Sequence, residues 1–108
     1  MELALTTLEQ QLLLAVLGLH PNAYGVSIQE RIKDRTGREP STGSIYASLD
    51  RLEEKGFVKS RQGESTKERG GKRKLYFTIT APGQHALRQS LQAIDALSRG
   101  LGWNGAAI

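Results

Sequence analysis

The feature that most constrains the fold is a change of hydrophobic period after Gly56. Before it, three stretches repeat apolar residues at helical spacing, and the clearest is STGSIYASLDRLEEKG (41–56). After it, FVKSRQ and KLYFTIT alternate apolar and polar residues, as a strand with one buried face does. Between them lies a Gly-rich, charged stretch. The chain is therefore predicted to form three helices and then a β-hairpin with a long tip.

Residues typical of helix termini indicate where the helices begin and end. Thr6 and Glu9 have the spacing of a capping box at the start of the first helix. Gly37 is expected to end the second helix. Thr80 and Pro82 predict the start of a fourth helix after the hairpin.

The fourth helix is predicted to carry a row of apolar side chains along one face. The row consists of Leu87, Leu91, Ile94, Leu97 and Leu101. Spacings of three, four and seven residues are typical of a seam between paired helices. We expect this helix to pair with that of a second copy in a homodimer. The alternative is that it folds back on the first helix of its own chain.

Positive charge is concentrated around the predicted hairpin. The whole chain has a formal net charge of +4, whereas residues 59–74 hold seven Lys and Arg against two Glu, a net +5. Such a segment attracts polyanions, and nucleic acid is the first candidate. A solvated hairpin tip, kept basic to prevent edge pairing, is the alternative.

Composition excludes several other classes of protein. A length of 108 residues suits one domain with one core, and the absence of Cys excludes disulfides and thiolate chemistry. The lack of Cys also fits a reducing cytoplasm, which is the expected location. The longest apolar stretch, residues 12–19, is too short to span a membrane. His20 and His85 lack partners at metal-ligand spacing, and no catalytic arrangement or phosphate-loop motif is present. We expect no enzyme activity, no metal and no cofactor.

The order of elements is that of a winged helix-turn-helix. The fold class is thus mainly α with a small antiparallel β-hairpin, with the DNA-binding part over 1–82 and a dimerisation helix and tail over 83–108. In this architecture the third helix enters the major groove by its N-terminal half and the hairpin, or wing, reaches the backbone. The groove residues are expected to be Ser41, Thr42, Ser44, Tyr46 and Arg51. The wing residues expected at phosphates are Lys67, Arg69, Lys72, Arg73 and Lys74.

Three of the aromatic and basic residues have structural interpretations as well. Tyr46 could pack against the wing, and Arg51 could pair with an acidic neighbour instead of DNA. Tyr24 is expected to brace the first helix.

The sequence resembles the PadR-type transcriptional regulators from residue 5 to about residue 100. The resemblance is carried by Tyr24 and Gly25, by STGSIYASLDRLEEKGFV (41–58), by GGKRKLYFTIT (70–80) and by TAPGQHAL (80–87). Ala47 departs from the family, which often has Pro after the Tyr. The resemblance implies a cytoplasmic, homodimeric repressor that binds double-stranded DNA. A two-fold dimer favours an inverted-repeat operator.

A small planar aromatic effector is the last expectation. Trp103, the only Trp, follows the fourth helix and is predicted to contact such a ligand at the dimer interface, although it could equally be a plain interface or tail residue. Members of the family that the sequence resembles often respond to phenolic or drug-like compounds. Two other functions stay open: a winged-helix module that binds a protein and no DNA, and a regulator of the MarR kind.

Overall fold

The computed structural model describes residues 4–65 and 73–102, without the side chains of 64, 65 and 73. The described part contains four helices and one two-stranded sheet. In chain order these are α1 (Thr7–Leu19), α2 (Gly25–Thr36), α3 (Thr42–Glu54), β1 (Val58–Ser65), β2 (Arg73–Ile79) and α4 (Ala81–Ser98). The predicted fold class is confirmed.

Local hydrogen bonds end the helices where the sequence predicts. The Thr6 hydroxyl accepts a hydrogen bond from the Glu9 N–H at 3.1 Å, and the Glu9 carboxylate accepts one from the Thr6 N–H at 2.8 Å. Gly37 ends α2 with a φ of 77°, a left-handed conformation in which glycine carries no Cβ penalty. At α3 the side chain of Ser41 caps the helix by accepting from the Ser44 N–H.

One apolar core joins the helices to the base of the sheet. Each of α1, α2 and α3 contributes one buried face, and the largest fully buried apolar side chains are Leu12, Leu13, Val16, Ile28, Ile45, Leu49 and Leu52. Phe77 and Ile79 of β2 close the core from the side of the sheet. This burial is the main stabilising term, at about 25 cal/mol per Å² of apolar surface.

The two strands form an antiparallel hairpin in which Val58 lies opposite Ile79 and Arg61 lies opposite Tyr76. Because side chains alternate along a strand, Phe77 faces the core and Tyr76 faces outward. The Phe77 N–H also donates a 2.8 Å hydrogen bond to the carbonyl of Ala23, between α1 and α2. The hairpin is thereby tied to the helical core.

The start of α4 packs closely against the end of α3 and the start of β1. The Thr80 hydroxyl accepts from the Gly83 N–H at 3.1 Å and donates to the Gly56 carbonyl at 2.6 Å. A Cβ at Gly83 would overlap the carbonyl oxygen of Phe57, so glycine is required for this approach. Along the described residues, no helix has the length and apolar character needed to cross a membrane.

Candidate nucleic-acid interface

The first turn of α3 presents a polar, open surface. Ser41, Thr42, Gly43 and Ser44 are all exposed. The Ser41 hydroxyl accepts from the Ser44 N–H at 3.1 Å and donates to the Ser44 hydroxyl at 2.9 Å. The first N–H groups of a helix have no intrahelical acceptor, and a Cβ at Gly43 would have no neighbour within 4 Å. This turn can therefore approach an anion closely.

Tyr46 links α3 to the start of α2. Its side chain is half-buried against the core, and its hydroxyl lies against Gly25, where any Cβ would overlap it. The sequence interpretation had Tyr46 packing against the wing, whereas its packing partner in the structure is α2. The Gly that follows Tyr24 in the sequence makes room for this contact.

Arg51 makes its polar contacts inside the chain. Its guanidinium donates a 2.9 Å hydrogen bond to the Ser48 hydroxyl and lies 3.9 Å from the Glu9 carboxylate. About half of the side chain, 52%, remains exposed. Arg51 occupies the last turn of α3, about 15 Å from its N-terminus at 1.5 Å per residue. The acidic partner is on α1, whereas neighbours in the sequence were the expected partners.

Glu9 is a buried carboxylate that joins α1 to the end of α3. The Lys55 ammonium donates to both of its oxygens, at 3.0 and 3.2 Å. Burial raises the pKa of Glu9, but the hydrogen bond from the Thr6 N–H and the Lys55 ammonium lower it by more, so the pKa lies below its ordinary value. The sequence pattern identified Glu9 only as a capping residue.

The outer face of the wing carries two cations, each placed over an aromatic ring. The Lys74 ammonium lies 4.2 Å from the centre of the Tyr24 ring, and the Arg61 guanidinium carbon lies 4.7 Å from that of Tyr76. The two rings meet edge to face, with centres 5.6 Å apart. Tyr24 therefore contacts the wing, where the first helix was expected as its partner. Arg61 and Tyr76 were missed, although strand alternation puts both on the face of Lys74.

Several predicted site residues lie outside the described part of the structure. These are Lys67, Arg69, Lys72 and Trp103, together with the side chain of Arg73. Of the predicted wing cations, Lys74 alone is placed by the described side chains. The part of the chain that is described holds no cluster of His, Asp and Glu suited to a metal ion.

The apolar row of α4 divides into a buried beginning and an exposed remainder. Leu87 is 4% exposed and belongs to the core of the chain, so it has little surface left for a partner. Leu91 is 37% exposed, Ile94 52% and Leu97 79%. Leu101 was predicted on the same helix, but α4 ends at Ser98 and Gly100 takes a left-handed φ of 75°, so Leu101 lies beyond the helical row and is 63% exposed.

A groove of about 560 Å³ runs between α4 and the residues that precede α1. Leu5, Phe57, Ala86 and Ile94 supply apolar walls, and His85 supplies a ring nitrogen. Volumes of roughly 300 to 1,000 Å³ are usual for sites that hold small molecules.

Several solved structures have a similar fold. A PadR family transcriptional regulator from Eggerthella lenta is 26% identical, with a TM-score of 0.71 over 89% of this chain and 79% of that one. A PadR-like transcription factor from Bacteroides fragilis is 25% identical, with a TM-score of 0.69 over 83% and 82%. PadR of Bacillus subtilis, solved in complex with operator DNA, is 23% identical, with a TM-score of 0.61 over 92% and 52%. At this identity, the similarity to the Bacillus subtilis protein shows a shared fold and nothing further.

By sequence, no match was found among curated proteins. The model of the transcriptional regulator PadR-like family matches residues 13–89, which is most of the chain. The match includes α2, α3, the wing and the start of α4. It distinguishes the PadR type from the MarR kind and agrees with the expectation that the chain is not an enzyme. The chain belongs to the PadR-like family of transcriptional regulators.

Proposed function

We propose that this regulator binds an inverted-repeat operator as a homodimeric repressor. The observation that carries the proposal is the open first turn of α3 together with a wing whose outer face bears Lys59, Arg61 and Lys74. None of these three has a carboxylate within 4.0 Å among the described residues. Cations without a nearby carboxylate, together with the exposed N-terminus of α3, are suited to bind the phosphate backbone of a duplex.

Within this proposal, α3 supplies contacts in the groove and the wing supplies phosphate contacts. The groove residues are Ser41, Thr42, Ser44 and Tyr46. Lys74 and Arg61 act at phosphates, together with Lys67, Arg69, Lys72 and Arg73, which are proposed from the sequence alone. Arg51 is left out of the contact surface because its guanidinium bonds to Ser48 and faces Glu9 at the far end of α3.

The dimer of the proposal forms through the exposed part of α4. A row of three exposed, large apolar side chains on one helix is rarely left in water, and pairing of two copies would bury it. Two-fold pairing would repeat α3 at a fixed distance, which corresponds to half-sites about one helical turn apart.

The effector of the proposal is a small planar aromatic compound that weakens DNA binding. The groove beside α4 has a suitable volume and apolar walls, and it lies next to the proposed dimer seam. Trp103 is retained as a contact from the sequence alone. The compound must prefer a dimer geometry with wrongly spaced α3 helices, because equal affinity for both geometries shifts nothing. Trp fluorescence, titrated with planar aromatics in the presence and absence of operator, tests this part.

The main test is a selection of bound sequences from random duplexes with the purified protein. The proposal requires recovery of an inverted repeat, and affinity for it should fall with salt at a slope of about −0.9 per neutralised phosphate. Arg73→Ala with Lys74→Ala should weaken binding to all sequences alike and reduce the slope, whereas Ser44→Ala should change the preferred sequence. Recovery of no sequence, with a flat salt dependence, would favour a module that binds protein.

A further inference from the structure

We propose that Tyr24 and Tyr76 are positioning residues, whose rings hold Lys74 and Arg61 in the orientation in which these cations meet DNA phosphates. This inference rests on the proposed function and adds two residues to it that make no DNA contact of their own. The two rings orient the cations of the wing before DNA binds.

The four side chains form one continuous stack, in the order Lys74, Tyr24, Tyr76 and Arg61. The cations lie 4.2 and 4.7 Å from the ring centres, within the range of about 6 Å over which the negative face of a ring attracts a cation. The two rings contact each other edge to face, at an angle of 70°. Each ring is thereby held by the other as well as by its cation.

The backbone around the stack fixes it to the core of the domain. Tyr24 immediately precedes α2, and its N–H donates a 2.9 Å hydrogen bond to the Ser27 hydroxyl. Tyr76 lies on β2, next to Phe77, whose N–H bonds to the Ala23 carbonyl. Arg61 also donates a 3.2 Å hydrogen bond to the Pro21 carbonyl. A rigid segment therefore supports each ring.

A glycine gives the Tyr76 ring its place on the outer face. A Cβ at Gly63 of β1 would overlap the Cδ2–Cε2 edge of this ring, so the ring reaches over to the neighbouring strand. Arg61 of the same strand lies over the ring, with its guanidinium carbon 4.7 Å from the ring centre.

The chemistry of the stack points to an anion as its further partner. The face carries Lys59, Arg61 and Lys74 and, among the described side chains, no carboxylate. A free lysine side chain loses up to about 2 kcal/mol of rotamer freedom when it is immobilised. A lysine already placed over a ring has lost part of that freedom, so it binds a phosphate at a smaller entropic cost.

The test is a double-mutant cycle on DNA binding. The probe is a fluorescein-labelled mixed-sequence duplex of about 30 base pairs, roughly three helical turns, measured by anisotropy at several salt concentrations. The variants are Tyr24→Leu, Lys74→Met and the two combined, with Tyr24→Phe as the matched control that keeps the ring. A mixed-sequence duplex suffices because phosphate contacts do not depend on sequence.

Tyr24→Leu should weaken binding about two- to fivefold, because a lysine side chain without the ring must be ordered when it binds the phosphate, and should leave the salt slope unchanged because Lys74 keeps its charge. Lys74→Met should reduce the slope by about 0.9 for each bound protomer. In the Lys74→Met background, Tyr24→Leu should have a clearly smaller effect, limited to what the lost contact with Tyr76 does to Arg61. Tyr24→Phe in the original background should bind as the original chain does. The NMR signals of the Lys74 side chain should be shifted upfield in the original chain and in Tyr24→Phe, and should lose this shift in Tyr24→Leu.

The outcomes separate the two proposals. If the original chain binds the duplex with a normal salt slope, but Tyr24→Leu is without effect or is equally harmful after Lys74→Met, the positioning role is wrong and the proposed function stands. If the original chain shows no salt-dependent binding, both are wrong. Thermal unfolding of each variant checks that it folds, and Tyr24→Met replaces Tyr24→Leu in the cycle if the latter does not.

Discussion

The Lys55 ammonium lies 3.0 Å from the buried Glu9 carboxylate and joins the end of α3 to the first turn of α1. Forty-six residues separate the two in the sequence. The same carboxylate accepts the Thr6 N–H and faces Arg51, so one side chain caps α1 and anchors the proposed recognition helix.

Lys55→Met should lower the free energy of unfolding by about 2 kcal/mol at neutral pH, the value of a hydrogen bond to a buried charge that loses its partner. Chemical denaturation measures it. Lys33→Met is the matched control, because Lys33 pairs with Glu39 at 4.0 Å on the surface, with 58% of its side chain exposed. We expect a change below about 0.5 kcal/mol for the control. Equal losses in the two variants would contradict a special role for the buried pair.

The same pair predicts a pH dependence. The pKa of Glu9 is lower in the folded chain than in the unfolded chain, so between these two pKa values the unfolded state binds more protons. The stabilisation that Glu9 provides is therefore complete above its ordinary pKa and is lost as the pH falls through the folded value. In Lys55→Met the folded pKa of Glu9 should lie closer to its ordinary value, because burial is no longer offset by the ammonium, so the loss should be smaller and complete at a higher pH. Unfolding curves recorded across the acid range would show it, and an unshifted midpoint would count against this assignment.

Arg51→Gln tests whether this residue acts inside the chain. Because the guanidinium is half exposed, its loss should cost less than about 1 kcal/mol of stability. Affinity for the selected operator should stay within about twofold, an energy of roughly 0.4 kcal/mol. A tenfold loss of affinity, at unchanged stability, would restore Arg51 to the DNA contacts that the sequence predicted.

Two glycines should respond oppositely to alanine. Gly83→Ala introduces a Cβ that overlaps the Phe57 carbonyl oxygen and lies 2.9 Å from an Ile79 carbon, so the start of α4 must move, at a cost of about 1 to 3 kcal/mol. Gly43→Ala introduces a Cβ into open space on a helix, and stability should stay equal or rise by up to about 1 kcal/mol. Denaturation curves of both variants decide this. If the first glycine tolerates alanine as well as the second, α4 does not depend on the close approach.

Leu97→Glu should dissociate the proposed dimer. Leu97 is 79% exposed in the single chain, and burial of a carboxylate against an apolar partner should raise the dissociation constant at least about tenfold, or 1.4 kcal/mol. Gln92→Glu adds the same side chain to the opposite side of α4 and serves as the control. Sedimentation at micromolar concentration gives the oligomeric state. A dimer that survives Leu97→Glu unchanged would exclude the C-terminal part of α4 as its seam.

The sequence was most informative where structure depends on neighbouring residues. The capping residues Thr6, Ser41 and Thr80 and the change of period after Gly56 act within a few positions, so the helix ends and the hairpin could be predicted.

Contacts between distant residues could not be predicted in the same way. Nothing in the pattern associates Glu9 with Lys55, or Tyr24 with Tyr76, since the packing of the elements brings them together. Leu87 illustrates the same limit. Its spacing matches that of Leu91 and Ile94, but only the packing of the start of α4 determines which of them is buried.

The hydrogen bond from Phe77 to the Ala23 carbonyl has a consequence for the DNA as well as for the protein. It keeps the wing from swinging independently of α2, and the contact of Tyr46 with Gly25 does the same for α3. A duplex that contacts both the wing and α3 must then fit a separation set by the protein, so the DNA has to bend and not the protein. Flexible pyrimidine–purine steps between the two contact points would lower that deformation energy, so operator preference should extend to base pairs that no side chain reaches.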